Sequence, residues 1–447
     1  SHSSTLRHEA SPLPPPPKGN GVHGELEVVT TLQSHWLHYL HDAVRRLTGD
    51  GAVALMKLAS EAESEAQSVA QRRTQRSKLR GLYESDELLE HIAAVQHDNA
   101  SAAVTGVRSW AMCPLHLRMP SQQELRVLFA DLDPKVRQGG IDDAIRAWFA
   151  EERHRMGLRL LSHGYTALLA HFARTGVPAG MRGRVWCGAL QVQLCERDYS
   201  YYAQLVSEIS RISQVLDPLV KRDVAIPFNE EDYFVFCDKI EELLLCFMRD
   251  PAVLQKSAES GWHVRASNRA GQQSVFPPNG LLPPRGLSQY AFPLCYAFHA
   301  QEELYYLFRA MWTRYWCKLH CFSSRPGTLL HLLAVFESTL QELQPALCWH
   351  LLELELHPTT VAFPWILYAF SSYLPVEQVL LLWDRVVGFD SLLPLPVLAA
   401  SIFAFRASAL MQAQDADRAR RILMDPSKLQ VVPLLQAVLF VPSSLAI

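Results

Sequence analysis

Apolar residues recur at intervals of three and four along most of the chain, which is the spacing of one face of an α-helix. The segment "LQSHWLHYLHDAVRRL" shows the pattern early, with Leu32, Trp36, Leu40, Val44 and Leu47 on one face. From about residue 150 onward almost every segment has this period, whereas the alternation typical of strands is scarce. The pattern predicts an all-α protein.

Proline and glycine separate the predicted helices. The breaks are "TGVPAGMRG", "FPPNGLLPPRG", "SSRPG", "LHPTT" and "GFDSLLPLP". They indicate a large domain of a dozen or more helices over residues 151–447, preceded by a smaller helical region over residues 31–150. Residues 1–30 contain "SPLPPPPKGNG", which cannot build a core and predicts a disordered Pro-rich arm. A plain tail and a polyproline ligand for an aromatic groove are its two interpretations.

Two local signals predict particular helices. Ser121 is followed three residues later by Glu124, the spacing of a capping box at a helix start. The longest apolar run, "LLPLPVLAASIFAF" (392–405), contains two prolines and is shorter than the ~20 residues that span a bilayer. It predicts a buried helix.

Composition and charge exclude several classes of protein. The 447 residues are 49% hydrophobic, which is too apolar for a disordered chain. The net charge of −3 argues against binding nucleic acid or an anionic membrane through bulk charge. A basic run over residues 72–80 has two interpretations, a solvated helix face or a contact for acidic lipid headgroups.

The nine cysteines form no CxxC pair, and their number is odd. This pattern indicates a reducing compartment without a disulfide framework. Cys317 and Cys321 are spaced to share a helix face, with His320 beside them, but no fourth ligand stands at a suitable spacing. We therefore interpret these residues as packing and expect no metal site.

Three separated blocks resemble one family. The first is "RTGVPAGMRGRVWCGAL" (174–190), in which a Gly-Pro turn leads to Arg182-Gly183 and then to Trp186. The second is "FPLCYAFHAQEELYYLFRAMWTRYW" (292–316), and the third is "FPWILYAFSSYLPVEQVLLLWDRVVGFDSL" (363–392) with Trp383-Asp384. In this order the blocks resemble the TBC domain, the all-helical module of Rab GTPase-activating proteins, over about residues 160–445.

In the last block, Trp383 lies on the apolar face of a helix with Leu380 and Val387, and we expect it to be buried. Pro375 suits the start of this helix, and Gly388 is predicted to end it.

The resemblance implies an arginine and a glutamine supplied to a Rab GTPase. An arginine given in trans accelerates GTP hydrolysis by roughly 10³–10⁵. The family carries it in an Ile-x-x-Asp-x-x-Arg motif, and the corresponding segment here is "LDPLVKRD" (216–223). With Leu216 at the Ile position, Leu219 replaces the Asp, Arg222 occupies the Arg position, and Asp223 stands where the family prefers Thr.

Two alternatives remain open for this segment. Aligning Asp217 with the Asp of the family motif puts Val220 in place of the arginine. Arg222 is otherwise a surface cation at a helix end, paired with Asp223 or Glu230.

The glutamine of the family lies in a Tyr-x-Gln motif before a helix. Counting back from Pro293 and Tyr296, the three positions fall on Pro283, Pro284 and Arg285, so that no amide remains. Gln289 follows one helical turn later, about 6 Å along the axis. The resemblance therefore implies Arg285 or Gln289 on the nucleotide side, in a segment that also sets a helix start.

Motifs of other enzymes do not occur. The sequence has no P-loop, no His-Glu-x-x-His and no Gly-x-Ser-x-Gly. The resemblance implies a cytoplasmic activator of Rab GTPases in membrane trafficking, recruited to membranes by partners. Its partner is a GTP-bound Rab, which itself carries GTP and magnesium, so that no cofactor of its own is expected. The alternative is a catalytically weak TBC module that binds Rab-like GTPases or other partners as a scaffold.

Overall fold

The computed structural model describes residues 119–225, 234–257, 264–267, 273–281, 283–298, 300–321 and 325–440. These residues belong to one unit, Leu115–Ile447. The predicted Pro-rich arm, the helical pattern before residue 119 and the basic run at 72–80 lie outside the described residues. The domain boundary at residue 150 stays a prediction.

Helices account for most of the described chain, which confirms the all-α prediction for this part. In chain order they are α1 (Gln122–Leu128), α2 (Asp142–Ile145), α3 (Ala147–His163), α4 (Thr166–Arg174), α5 (Arg182–Ala189), α6 (Glu196–Arg211), α7 (Asp217–Ala225), α8 (Cys237–Arg249), α9 (Pro251–Lys256), α10 (Gln301–Met311), α11 (Leu329–Leu343), α12 (Pro345–Glu353), α13 (Pro358–Leu367), α14 (Val376–Phe389), α15 (Pro394–Leu410), α16 (Ala416–Met424) and α17 (Val431–Phe440). Short 3₁₀ turns lie at Ala130–Leu132, Ala179–Met181, Phe234–Phe236, Leu287–Tyr290 and Phe292–Tyr296.

One antiparallel hairpin departs from the helical pattern. Its strands are β1 (Val264–Ser267) and β2 (Gln273–Phe276), in a register that pairs Val264 with Phe276. The hydrophobic pattern does not predict it, because four-residue strands are too short to show a clear alternation.

The capping box at the start of α1 is confirmed. The Glu124 backbone N–H donates to Ser121 Oγ at 3.2 Å, and the Ser121 N–H donates to Glu124 Oε2 at 2.9 Å. Gln122 Nε2 then donates to the Val438 carbonyl at 3.1 Å, and Leu125 is buried. The cap thus starts a helix that packs against α17, the last described helix.

Helix α15 lies in the core, as its apolar run predicts. It packs against α11, α13 and α17, and every residue from Pro394 to Phe403 is buried. Within the described ranges, no helix combines the length and apolar character needed to cross a membrane.

Gly388 does not end α14, so that prediction is wrong. The helix continues to Phe389 and is capped by Asp390, whose φ of 48° lies in the left-handed region. Gly388 instead allows α14 to approach α4, since a Cβ there would lie 2.5 Å from the backbone nitrogen of Arg174. The glycine is needed for close helix packing rather than for a turn.

The helix expected directly after the Pro-Pro-Arg-Gly segment is replaced by two 3₁₀ turns, Leu287–Tyr290 and Phe292–Tyr296. Pro293 lacks the N–H that a continuous α-helix would need there. Helix α10 begins only at Gln301 and continues through a π-helical turn, Trp312–Trp316, to Leu319.

Cys321 lies beyond this end and does not share a helix face with Cys317. The part of the chain that the structure describes contains no cluster of three or more His, Cys, Asp or Glu residues suited to a metal ion.

Candidate functional site

Helix α7 and the turn after Pro283 meet at a surface pocket of about 280 Å³. Arg222 comes from α7 and Arg285 from the turn, and both side chains are exposed. The remaining lining residues are Leu219, Val220, Asp223, Leu244, Pro283, Pro284 and Leu287. The structure therefore brings together two of the three residues that the resemblance assigns to catalysis.

The first residue of α7 fixes the orientation of this helix. Asp217 is buried and accepts from Arg249 Nη1 at 3.0 Å and Nη2 at 2.8 Å, and from the Gln214 N–H at 2.8 Å. Burial acts to raise the pKa of Asp217, but these hydrogen bonds outweigh it and hold the pKa below its usual value. Asp217 is thus committed to a structural ion pair, which anchors the start of α7 to α8.

The orientation of α7 distinguishes the two alignments of residues 216–223 with the family motif. Aligning Asp217 with the family aspartate puts Val220 at the arginine position, and Val220 is 1% exposed and part of the core. Aligning Leu216 with the family isoleucine puts Arg222 there, on the exposed face of α7. Only the second alignment places the arginine position of the family motif at the surface. It also puts Leu219, which is 53% exposed, at the aspartate position of that motif.

The Arg222 guanidinium makes no hydrogen bond or ion pair with any residue in the described ranges. Its neighbour Lys221 is paired with Glu241, Nζ to Oε1 at 3.0 Å, on the exposed side of α7. Of the two partners expected if Arg222 were a surface cation, Asp223 is engaged elsewhere, and Glu230 lies outside the described residues. The Arg222 guanidinium can therefore face a partner molecule.

A sharp turn presents Arg285. Gly286 has a φ of 82°, and a Cβ at this position would lie 2.3 Å from Cε1 of the Tyr368 ring. The Tyr368 hydroxyl donates to the Arg285 carbonyl at 3.3 Å. Burial raises the pKa of Tyr368, with Arg285 opposing the rise and Asp223 adding to it. Position 286 therefore requires glycine for two reasons, its positive φ and the Tyr368 ring packed against it.

Asp223 is the residue of this site that sequence reasoning missed. Its carboxylate accepts from the Gly286 N–H at 2.5 Å and from the Ser288 N–H at 2.9 Å, and its backbone carbonyl accepts from Ser288 Oγ at 3.2 Å. The sequence offered one signal, an acidic residue where the family prefers threonine. Its partners, however, lie on a distant segment of the chain.

Gln289 lies below this surface. It is 2% exposed in the 3₁₀ turn Leu287–Tyr290, and its backbone N–H donates to the Gly286 carbonyl at 3.1 Å. Its place on the nucleotide side stays a prediction. Of the three residues, Arg222 and Arg285 are the two whose side chains are exposed at the pocket.

The first and third sequence blocks that resemble the TBC domain meet in the core. Asp384 is fully buried and accepts from Arg182, from Trp186 Nε1 at 2.9 Å and from the Val177 N–H at 3.1 Å. Gly183 packs so closely that a Cβ there would lie 2.6 Å from the Phe298 ring. These contacts connect the start of α5, the turn before it and α14.

Trp383 is fully buried, as its place on the apolar face predicts. Its Nε1 donates to the Ala369 carbonyl at 3.0 Å, and its ring lies 4.9 Å from that of Trp316. Trp383 therefore connects α14 to the loop after α13 and to the end of the long helix that begins with α10.

Known proteins resemble parts of this chain. Residues 285–411 match the family model described as the Rab-GTPase-TBC domain. TBC1 domain family member 19 of Homo sapiens is 37% identical over 334 residues, which is 72% of this chain and 64% of the human protein. The TBC domain-containing protein kinase-like protein of Dictyostelium discoideum is 30% identical over 84 residues, which is 19% of this chain and 8% of that protein. The chain thus spans less than two thirds of either relative.

Two solved structures are also similar. The Chlamydomonas flagellar RabGAP TBC domain aligns with a TM-score of 0.46 and 16% identity, covering 65% of this chain and 93% of that one. The Ypt/Rab-GAP domain of Gyp1p aligns with a TM-score of 0.46 and 12% identity, covering 63% of this chain and 93% of that one. By its family model over residues 285–411 and its likeness to the human protein, the chain carries a TBC domain.

Proposed function

We propose that this protein regulates Rab-family GTPases as a GTPase-activating protein, with Arg222 as the arginine supplied in trans. One observation carries the proposal: Arg222 and Arg285 are exposed, on two separate segments, at the same pocket. The match of residues 285–411 to the Rab-GTPase-TBC domain model also supports a Rab as the partner. The proposed partner is a Rab in its GTP form. We accordingly propose that the protein acts in the cytoplasm and that partners recruit it to membranes.

The chemistry of the pocket suits a phosphoryl group that gains negative charge as it transfers. A guanidinium stays charged at neutral pH and donates two parallel hydrogen bonds to phosphate oxygens. The Arg222 guanidinium has no partner among the described residues, so that no contact with them would have to be broken before it reaches such a group.

Arg285 cannot replace the missing glutamine in every respect. An amide both donates and accepts hydrogen bonds, whereas a guanidinium only donates. Arg285 therefore cannot accept a hydrogen bond from the attacking water. We assign it a second contact to phosphate oxygens and assign the orientation of water to the GTPase itself.

Single-turnover GTP hydrolysis by a panel of GTP-loaded Rab proteins tests the proposal. We expect the full chain to accelerate hydrolysis by at least one Rab. Arg222→Ala should remove most of an acceleration that is roughly 10³–10⁵ when a trans arginine acts. Arg155→Ala is the matched control, because Arg155 is an exposed arginine on α3. Equal acceleration by wild type and Arg222→Ala would overturn the role of Arg222.

A scaffold is the second candidate function. It is favoured by the two departures from the family motifs, Leu219 in place of the aspartate and Arg285 in place of the glutamine. In that case the protein would bind a GTP-loaded Rab with wild-type and Arg222→Ala affinities within a few-fold of each other, and no Rab of the panel would hydrolyse GTP faster.

A further inference from the structure

We propose that Asp223 is a positioning residue that holds Arg285 beside Arg222, so that the two guanidiniums act as one anion-binding unit. The effect on hydrolysis rests on the proposed function, whereas the effect on the turn does not. Nothing in the family motifs assigns this position a role of this kind in the present chain, where it carries a carboxylate in place of threonine.

The contacts of Asp223 join the two segments that carry the arginines. Asp223 follows Arg222 directly on α7, and the amides that it binds belong to Gly286, which follows Arg285 directly, and to Ser288. The Ser288 hydroxyl returns a third hydrogen bond to the Asp223 carbonyl. Three hydrogen bonds thus connect the residue after one arginine to the residues after the other.

The chemistry of the contact requires a carboxylate. An ionised carboxylate accepts through both oxygens, so that it satisfies two N–H groups that point at it together. An asparagine offers only one accepting oxygen and would turn its NH₂ group toward the second N–H. Threonine offers a single hydroxyl. The residue at 223 therefore decides whether both amides of the turn are held.

The other contacts fix only one of the two segments each. On the α7 side, Asp217 and the buried Val220 keep the helix in place without Asp223. On the turn side, Tyr368 packs against Gly286 and donates to the Arg285 carbonyl. Loss of the Asp223 carboxylate should therefore leave Arg222 on its helix while it loosens the turn that presents Arg285, which then keeps only its contacts with Tyr368 among those described above.

The first test reads the turn itself and needs no GTPase. Amide hydrogen exchange is measured in the full chain for the peptide that contains Gly286 and Ser288. We expect Asp223→Asn to speed exchange there by about tenfold or more, with the melting temperature of the protein nearly unchanged. Asp238→Asn is the matched control, because Asp238 is an exposed aspartate in the first turn of α8. Unchanged exchange at Gly286 and Ser288 in Asp223→Asn would overturn the proposal.

The second test measures the rate of GTP hydrolysis by a Rab that the wild-type protein accelerates. Asp223→Asn should lower the maximal acceleration of GTP hydrolysis about tenfold. The protein concentration for half-maximal effect should stay unchanged, because the variant still binds the Rab and only the position of Arg285 changes. In an Arg285→Ala background the same substitution should add little, since it acts through Arg285. Fully additive losses would contradict this coupling. If wild type accelerates no Rab, the proposed function fails, and amide exchange still decides whether Asp223 holds the turn.

Discussion

Arg182 grips the buried Asp384 carboxylate in parallel, Nε to Oδ1 at 3.1 Å and Nη2 to Oδ2 at 3.2 Å. The same carboxylate accepts from Trp186 and from the Val177 N–H. Another buried guanidinium, that of Arg385, lies 4.0 Å away. Burial lowers the pKa of Arg385 to about 10, and Asp384 opposes that shift. One carboxylate thus balances a cluster of buried donors and positive charge.

Asp384→Asn should destabilise the protein strongly. Removing one partner of a buried ion pair leaves the other charge uncompensated, which costs about 3–5 kcal/mol. The free energy of unfolding in urea measures the effect. Asp417→Asn serves as the control, because its pair with Arg420 is exposed and should be worth about 1 kcal/mol or less. Equal losses in the two variants would contradict the importance of burial.

Trp383→Ala should lower the free energy of unfolding by about 3–5 kcal/mol, because a fully buried ring is replaced by a cavity and the hydrogen bond to Ala369 is lost. The same change at Trp349, which is 70% exposed, should have a much smaller effect. Thermal melts of both variants make the comparison. A Trp383→Ala protein that melts like wild type would show that the core tolerates the cavity.

Gly286→Ala should be more destabilising than Gly327→Ala. The two glycines have nearly the same backbone, with φ of 82° and 81°, so that the left-handed conformation costs each alanine about 1–2 kcal/mol. A Cβ at 327 meets nothing within 4 Å, whereas one at 286 must displace the Tyr368 ring. We expect this to add about 1–3 kcal/mol. Equal free energies of unfolding would mean that Tyr368 moves aside without cost.

His320 should make the protein less stable in weak acid. Its ring stacks on Trp312, and its Nε2 lies 3.1 Å from the Tyr290 hydroxyl. Burial lowers its pKa from 6.5 to about 4. The unfolded chain therefore takes up a proton at higher pH than the folded protein. The stability that this neutral histidine contributes is complete above about pH 6.5 and is lost as the pH falls toward 4, up to about 3 kcal/mol.

Urea unfolding between pH 4.5 and 7.5 checks this pH dependence. His320→Gln should flatten the curve, because glutamine does not titrate in this range. His154→Gln, at an exposed histidine of α3, should leave the curve unchanged. A wild-type curve that is already flat over this interval would show that His320 is not held neutral by the fold.

Local signals could be predicted well from the sequence, because they depend on residues that are neighbours in the chain. The capping box of Ser121 and Glu124 and the buried run of α15 are examples. Gly388 could not be interpreted in this way. Its role depends on the backbone of α4, and no pattern around Gly388 reveals that neighbour.

The candidate site likewise has features that could be predicted from the sequence and features that could not. The spacing of apolar residues determined that the protein is helical. The resemblance to the TBC motifs implied that Arg222 or Val220 stands at the arginine position and that no amide stands at 285. Only the tertiary structure decided that Val220 is buried while Arg222 is exposed, that Arg285 shares its pocket and that Asp223 joins the two segments. The physical reason is that burial and hydrogen-bond partners depend on how distant segments pack, and Asp217, Tyr368 and the core set that packing here.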